Sequence, residues 1–326
     1  MEQIVLGTSG RHTTRLGFGC ASLMGATGRR DSLRLLEVAY DAGIRHFDVA
    51  PMYGYGEAES CLGEFLKNHR GQVTVTTKYG ILPTRNSAMI KAGRRIAAPV
   101  LKALPGFKQR LAQAANAVTR NEERPTFTAA QAKASLDRSL TALRTGHIDL
   151  WLLHEVTARD LHDDTLLRLL EAEVKKGTIG SFGVGSSADK IPSLLAEHPS
   201  YCRTLQYEWS VLDAPIQPSG PFRIHHRALT ANFRALHAIL VKNTPLCQRW
   251  STATDTDLSH AEALANLMLK AALLMNSASI LLFSSKKPAH IRANVRAISD
   301  AALEFSARTL YTLIQSERDQ LPITTG

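Results

Sequence analysis

Short apolar runs alternate with amphipathic helical runs along this chain, and several of the apolar runs end on or beside a polar residue. The run Phe47-Asp48-Val49-Ala50 carries a carboxylate and leads into Pro51-Met52-Tyr53-Gly54-Tyr55-Gly56, so an acid and a phenol stand five residues apart. Val73–Lys78 ends in an amine, Ile148–His154 in an imidazole, and Leu205-Gln206-Tyr207 carries a carboxamide. Strand followed by helix, repeated at about 30 to 40 residues, argues for parallel βαβ units. In a closed parallel barrel the C-terminal ends of all strands meet at one face, and that face holds the active site.

Local signals divide the chain as follows. Residues 3–16 read as a β-hairpin with Thr8-Ser9-Gly10 as its turn. Leu16–Ala21 is a first strand. Asp31 is the expected N-cap of a helix bearing Leu33, Leu35, Leu36, Val38, Ala39 and Ala42, and Gly43 fits its C′ position. Arg45–Ala50 and Val73–Lys78 are strands two and three, with a helix over Glu57–Lys67 between them. Thr128 is an N-cap with Gln131 at the capping-box position of a helix reaching Leu143. Strands follow at Ile148–Leu153, Ile179–Val184 and Arg203–Gln206, and helices at Asp163–Lys176 and Lys190–Glu197. Arg223–Arg227 is the best candidate for strand seven, and Ser279–Phe283 is strand eight. Helices are expected over Ala228–Val241, Ser259–Met275 and His290–Ile298, with a final one reaching Arg318 and a disordered tail over Leu321–Gly326.

At 326 residues the chain exceeds the usual domain size, but one (β/α)8 barrel with insertions accommodates residues 1–326 as a single domain. The formal charge of +10 is uneven: from Thr84 to Pro125 nine Lys or Arg stand against two Glu, a net +7. That stretch reads as a basic insertion after strand three, at about 84–125, lying over the barrel mouth. No apolar run approaches the roughly 18 residues a membrane span needs. The N-terminus lacks the basic and apolar regions of a secretory signal. Cys20, Cys61, Cys202 and Cys247 form no CxxC pair, which favours packing thiols in a reducing cytoplasm over disulfides or a metal site.

The polar strand ends suit the reduction of a carbonyl. As hydride reaches carbon, charge builds on oxygen, which must receive a proton. Tyr53 can give it if a neighbouring ammonium, Lys78, stabilises the phenolate and lowers its pKa. Asp48 keeps Lys78 charged and in place, and His154 can orient the carbonyl by a hydrogen bond. An Asp inside an apolar strand is itself unusual, since a buried carboxylate needs a partner.

Taken together, Leu6-Gly7-Thr8-Ser9-Gly10, Leu16-Gly17-Phe18-Gly19, Phe47–Gly54 followed by Gly56-Glu57-Ala58-Glu59, Thr77-Lys78 and Leu152-Leu153-His154 resemble the aldo-keto reductase family from Leu6 to about Asn294. The resemblance implies a (β/α)8 TIM barrel, the tetrad Asp48, Tyr53, Lys78 and His154, and carbonyl–alcohol chemistry with a nicotinamide cofactor bound without a Rossmann unit. In keeping with this, no GxGxxG follows a strand. Gln206 matches the family glutamine that holds the nicotinamide carboxamide. Gly183-Val184-Gly185-Ser186-Ser187 replaces the usual Gly-Val-Ser-Asn, leaving Ser186 to substitute for the missing Asn. Ser284, Ser285, Lys286 and Lys287 match the segment that grips the adenosine 2′-phosphate, and Asn294 an adenine contact. That implies NADP(H), although His290 stands where some members have Arg, so NAD(H) stays open. The Tyr that stacks on the nicotinamide in strand seven is replaced within Arg223-Ile224-His225-His226-Arg227, and the cofactor-covering loop after it is rewritten as helical sequence.

Two other readings compete. The chain can be a cofactor-binding regulatory or sensor protein with little turnover, which the altered strand-seven region favours. The basic stretch can instead contact nucleic acid or a membrane surface; it lacks interleaved aromatics, with Phe107 alone near its centre, and matches no nucleic-acid motif. A small-molecule carbonyl or alcohol is therefore the expected partner. Monomer and homo-oligomer stay undecided, and Gly54-Tyr55-Gly56-Glu57 resembles members acting on sugars and other aldehydes.

Overall fold

The computed structural model describes residues 1–25, 27–82, 126–216, 220–229 and 231–321. An antiparallel hairpin, β1 (Gln3–Val5) and β2 (His12–Thr14), precedes eight parallel strands that close into a barrel. These are β3 (Leu16–Gly19), β4 (His46–Asp48), β5 (Thr74–Tyr79), β6 (Ile148–His154), β7 (Ile179–Gly185), β8 (Thr204–Glu208), β9 (Phe222–His226) and β10 (Ser279–Phe283). Each pairs with the next in sequence, and β10 closes on β3. The described helices are α1 (Arg29–Asp41), α2 (Ala58–His69), α3 (Ala129–Leu143), α4 (Thr165–Lys175), α5 (Ile191–Glu197), α6 (Ala231–Lys242), α7 (Thr244–Thr254), α8 (Ala261–Met275), α9 (Pro288–Ser299) and α10 (Leu303–Ser316).

Side chains alternate along each strand, so one set fills the barrel and the other meets the helices. Leu150, Leu152, Ile224, Ile280 and Leu282 point inward and pack with Leu6, which the hairpin inserts at the N-terminal end. Phe47, Val75, Trp151, Phe182 and Leu205 belong to the larger core between strands and helices. The same alternation decides which polar residues reach the mouth: Asp48, Lys78, His154 and His226 each end the inward-facing set of their strand, and Gln206 lies on the inward-facing set of β8.

Several local expectations change. Asp31 lies in the first turn of α1, whose N-cap is Gly28; its carboxylate meets the positive end of the helix without capping it. Gly43 does occupy a left-handed position after α1, at φ 95°, and Thr128 Oγ1 does accept from the Gln131 N–H at 3.4 Å. Strand seven is Phe222–His226, because Arg227 turns to φ 62° and leaves the sheet. Past it the chain forms two helices, α6 and α7; the second begins at Thr244, where Asn243 caps it and Pro245 sits in its first turn. Leu321, expected to open a disordered tail, is buried at 9% exposure. The rest of that tail, and the basic insertion at about 84–125, lie outside the described residues. Among the described residues no helix is long and apolar enough to cross a membrane, and all four cysteines are buried free thiols.

Candidate active site

Strand register builds the site. Gly19 pairs with Asp48, Asp48 with Thr76, Lys78 with Leu152, His154 with Gly185, and Gly185 with Gln206, so these residues form the uppermost ring of the barrel. Tyr53 enters from the loop after β4. The loop is held there by Gly54, at φ 59°; a Cβ on it would lie 2.5 Å from the Leu23 carbonyl oxygen. Only glycine permits both that backbone angle and that approach.

Lys78 Nζ donates to Asp48 Oδ1 at 2.5 Å and to the Val49 carbonyl at 3.2 Å. It lies 5.5 Å from the centre of the Tyr53 ring. The His154 ring stands edge-on to Tyr53, with centroids 6.5 Å apart and planes at 89°. Asp48 and Lys78 are 3% and 1% exposed, so this ion pair is effectively dry. Gln206 Nε2 donates to Asp48 Oδ2 at 2.7 Å and satisfies the second carboxylate oxygen.

Burial disfavours the Lys78 ammonium, but the Asp48 carboxylate and Tyr53 more than offset it, and the Lys78 pKa is raised. For Tyr53 the balance differs from the expected acidification. Burial pushes the phenol up, Lys78 pulls it down, and the net direction is upward. Burial, reinforced by Lys78, lowers His154 to about 3. At neutral pH the group is therefore an ammonium, a protonated phenol and a neutral imidazole. The buried His154 Nδ1 has no partner, which leaves Nε2 as the nitrogen available to a ligand.

These groups line a cavity of about 550 Å³ at the C-terminal face of the barrel. All four tetrad residues face it, together with Ser186, Gln206, Ser284 and Asn294. Ser284 also borders a second, shallower depression of about 340 Å³, whose walls include Ser285, Lys286, Lys287 and His290. The expected cofactor residues thus fall along two adjoining hollows, with ammonium and hydroxyl groups concentrated in the outer one, a donor set that suits a phosphate. This arrangement fits a nicotinamide dinucleotide. Ser186 is more restricted than expected. Its hydroxyl donates to the Val156 carbonyl at 2.6 Å, so toward a ligand it can only accept.

Two features were not anticipated from the sequence, and the sequence leaves a third, which strand-seven residue faces the site, undecided between a histidine and Arg227. His226 lines the cavity, while its neighbour His225 faces outward, packed between Tyr207 and Trp209 with both ring nitrogens unpartnered. The signal was present in the strand alternation, since His226 lies two residues beyond the inward-facing Ile224. Glu155 adopts φ 56°, lines the cavity and pairs with Lys190 at 2.8 Å. Gln206 reaches Asp48 across the barrel, which local sequence pattern does not encode.

The family model for the aldo/keto reductase family matches residues 15–308. The chain is 43% identical over 90 residues to a pyridoxal 4-dehydrogenase of Microbacterium luteolum, a match covering 27% of this chain and 26% of that protein. It is 31% identical over 182 residues to a D-threo-aldose 1-dehydrogenase of Pseudomonas sp, covering 52% and 49%. The matches span from 26% to 54% of the length of the first curated relatives. Among solved structures, the holo form of an aldo-keto reductase from Bacillus halodurans superposes with a TM-score of 0.69 at 22% identity, covering 96% of each chain.

Proposed function

Since this chain belongs to the aldo/keto reductase family, we propose that it is an NAD(P)-dependent oxidoreductase that interconverts an aldehyde or ketone with its alcohol, Tyr53 giving or taking the proton. The carrying observation is the buried Asp48–Lys78 pair, its ammonium 5.5 Å from the centre of the Tyr53 ring, at a cavity that Tyr53 and a neutral histidine also line. A bound nicotinamide supplies or accepts the hydride. In reduction the substrate oxygen lies between the Tyr53 hydroxyl and His154 Nε2. His154 orients the carbonyl, and Tyr53 passes its proton to the oxygen as charge develops there. Lys78 stabilises the phenolate left behind, and Asp48 keeps the ammonium in place. Burial alone would make the phenol a still weaker acid, and Lys78 offsets part of that effect while the phenol keeps its proton at neutral pH.

Gln206 and Ser186 face the nicotinamide end of the cavity in this reading, and Asn294 the adenine end. Ser284, Ser285, Lys286 and His290 provide the phosphate contacts that favour NADP(H) over NAD(H). The substrate is a small polar aldehyde, with sugars the leading class. Two relatives are named for pyridoxal and for an aldose, both hydroxylated aldehydes, and Glu155 adds a hydrogen-bonding group to the cavity wall. We place the protein in the cytoplasm, where its four unpaired thiols stay reduced, and assign it a single barrel domain.

One observation favours a cofactor-binding sensor with little turnover: His226 and Arg227 stand at the cavity where the family resemblance leads one to expect a stacking tyrosine. Fluorescence titration with NADPH and NADH, followed by a turnover screen against sugars and other aldehydes, separates the readings. We expect NADPH to bind at least about tenfold tighter, as a 2′-phosphate meeting a charged site requires, and at least one aldehyde to be reduced. Binding without turnover on every substrate supports the sensor, and failure to bind either nucleotide overturns both readings.

A further inference from the structure

Asp48 and Gln206 lie on β4 and β8, four strands apart in either direction around the eight-stranded barrel. The Gln206 side chain nevertheless crosses the mouth to reach Asp48 Oδ2 at 2.7 Å, and both residues are 3% exposed. Its amide orientation follows from chemistry. An ionised carboxylate only accepts, so the end facing Asp48 must be the NH2. The other end, Oε1, lies over Gly185, where a Cβ would sit 3.5 Å from it.

This strut completes a closed set of donors and acceptors. Of the three Lys78 N–H groups, one goes to Asp48 Oδ1 and one to the Val49 carbonyl, which leaves the third for the Tyr53 phenol, whose ring centre lies 5.5 Å from the ammonium. The direction of the third is therefore set by the orientation of the carboxylate that holds the first. Lys78 fixes only one carboxylate oxygen. Without Gln206 the second would be a bare charged acceptor in a dry site, and the carboxylate would be free to turn about its Cβ–Cγ bond.

We propose that Gln206 is a positioning residue for the proton donor: by clamping Asp48 from across the barrel it fixes the ammonium of Lys78 against Tyr53. Resting on the function proposed above, this gives one side chain two tasks. Nε2 sets the geometry of the proton-transfer group, while Oε1 remains free to accept from a nicotinamide carboxamide. Occupancy of the cofactor site and alignment of the proton donor are thereby joined through a single amide.

The test reads Tyr53 directly and needs no substrate. Tyrosines labelled with 13C in the cofactor-free protein are titrated by NMR, the Tyr53 signal being assigned from Tyr53→Phe. Among the described residues, the titratable groups facing this phenol are Lys78 from β5, Asp48 from β4, Cys20 from the turn after β3 and His154 from β6; His226, from β9, is coupled to Asp48 and Lys78. Gln206→Met keeps length but loses the donor. Asp48 then presents an unshared charge and Lys78 is released from Tyr53, and both changes make the phenol a weaker acid. We expect its ionisation midpoint to rise by about one pH unit, a tenfold weaker acid. Gln206→Asn, too short to cross the mouth, should behave alike, and it decides the matter if Gln206→Met fails to fold. Ser186→Ala should weaken NADPH binding but leave the midpoint in place. An unmoved midpoint in the Gln206 variants, with NADPH affinity lost, would restrict Gln206 to cofactor contact and overturn the proposal. If no carbonyl is ever turned over, the proposed function fails while this titration still returns its answer.

Discussion

Lys78→Met removes the ammonium from a site where its partner is almost fully buried. Asp48 keeps one hydrogen bond, from Gln206, but loses the 2.5 Å contact that neutralises it at 3% exposure. Breaking a buried pair by removing one partner costs about 3–5 kcal/mol, because the remaining charge is uncompensated. That is a large share of a domain stability of about 5–15 kcal/mol. Asp48→Asn should cost a similar amount, since it strands the ammonium. The double variant leaves no buried charge, so it should fall no further than the worse single variant, a coupling of about 3 kcal/mol. Urea unfolding of the four proteins measures this cycle, provided that the transitions are reversible. Because the Lys78 pKa is raised in the folded state, its pairing contributes fully below its unfolded value of 10.5 and is lost as pH climbs through the folded one. The coupling should thus be constant near neutrality and shrink only in strong alkali. If Lys78→Met stays within about 1 kcal/mol of wild type, or the single effects simply add, the pair is not the dry, mutually dependent unit described here.

Two further outcomes follow from the same geometry. Burial holds His46 and His226 at about 4 and His154 and His225 at about 3, so all four are neutral when folded but take up protons near 6.5 when unfolded. The unfolded state therefore binds more protons between about pH 6.5 and 4, and each histidine lowers stability by up to about 1.4 kcal/mol per pH unit as pH falls; urea midpoints measured from pH 7 to 5 should drop steeply, and a flat profile would refute the burial argument. Lys286→Ala combined with Lys287→Ala should weaken NADPH binding by about tenfold or more and leave NADH binding nearly unchanged, read by fluorescence titration; equal loss for both nucleotides would remove these lysines from a 2′-phosphate site.

Much of this architecture is local information. The strands and their polar ends are legible because alternation and the helix caps at Thr128 and Gly43 are encoded within a few residues. The meeting of Asp48, Tyr53, Lys78 and His154 at one cavity is legible because three unusual polar residues end apolar runs and the phenol follows the first of them in its loop. Strand seven was harder. Its sequence, Phe222-Arg223-Ile224-His225-His226, is a weak strand signal that pairing with β8 and β10 overrides. Asp31 offered good N-cap chemistry, yet the N-cap is Gly28, three residues earlier, and the helix starts at Arg29. The balance at Tyr53 was illegible for a different reason: whether Lys78 or burial dominates depends on how deeply the phenol sits, which only packing determines. The Gln206–Asp48 strut spans 158 positions and exists only once the barrel is closed.

The central claim is that Tyr53 transfers the proton while the rest of the cavity binds. Steady-state turnover and NADPH affinity of Tyr53→Phe, measured on one preparation with the best aldehyde found, test it directly. The account predicts a kcat at least about 100-fold lower, the scale of a lost general acid, with the NADPH Kd within about threefold of wild type, a difference below 1 kcal/mol. Turnover close to wild type would mean that the proton comes from elsewhere, and this reading of the site would be wrong.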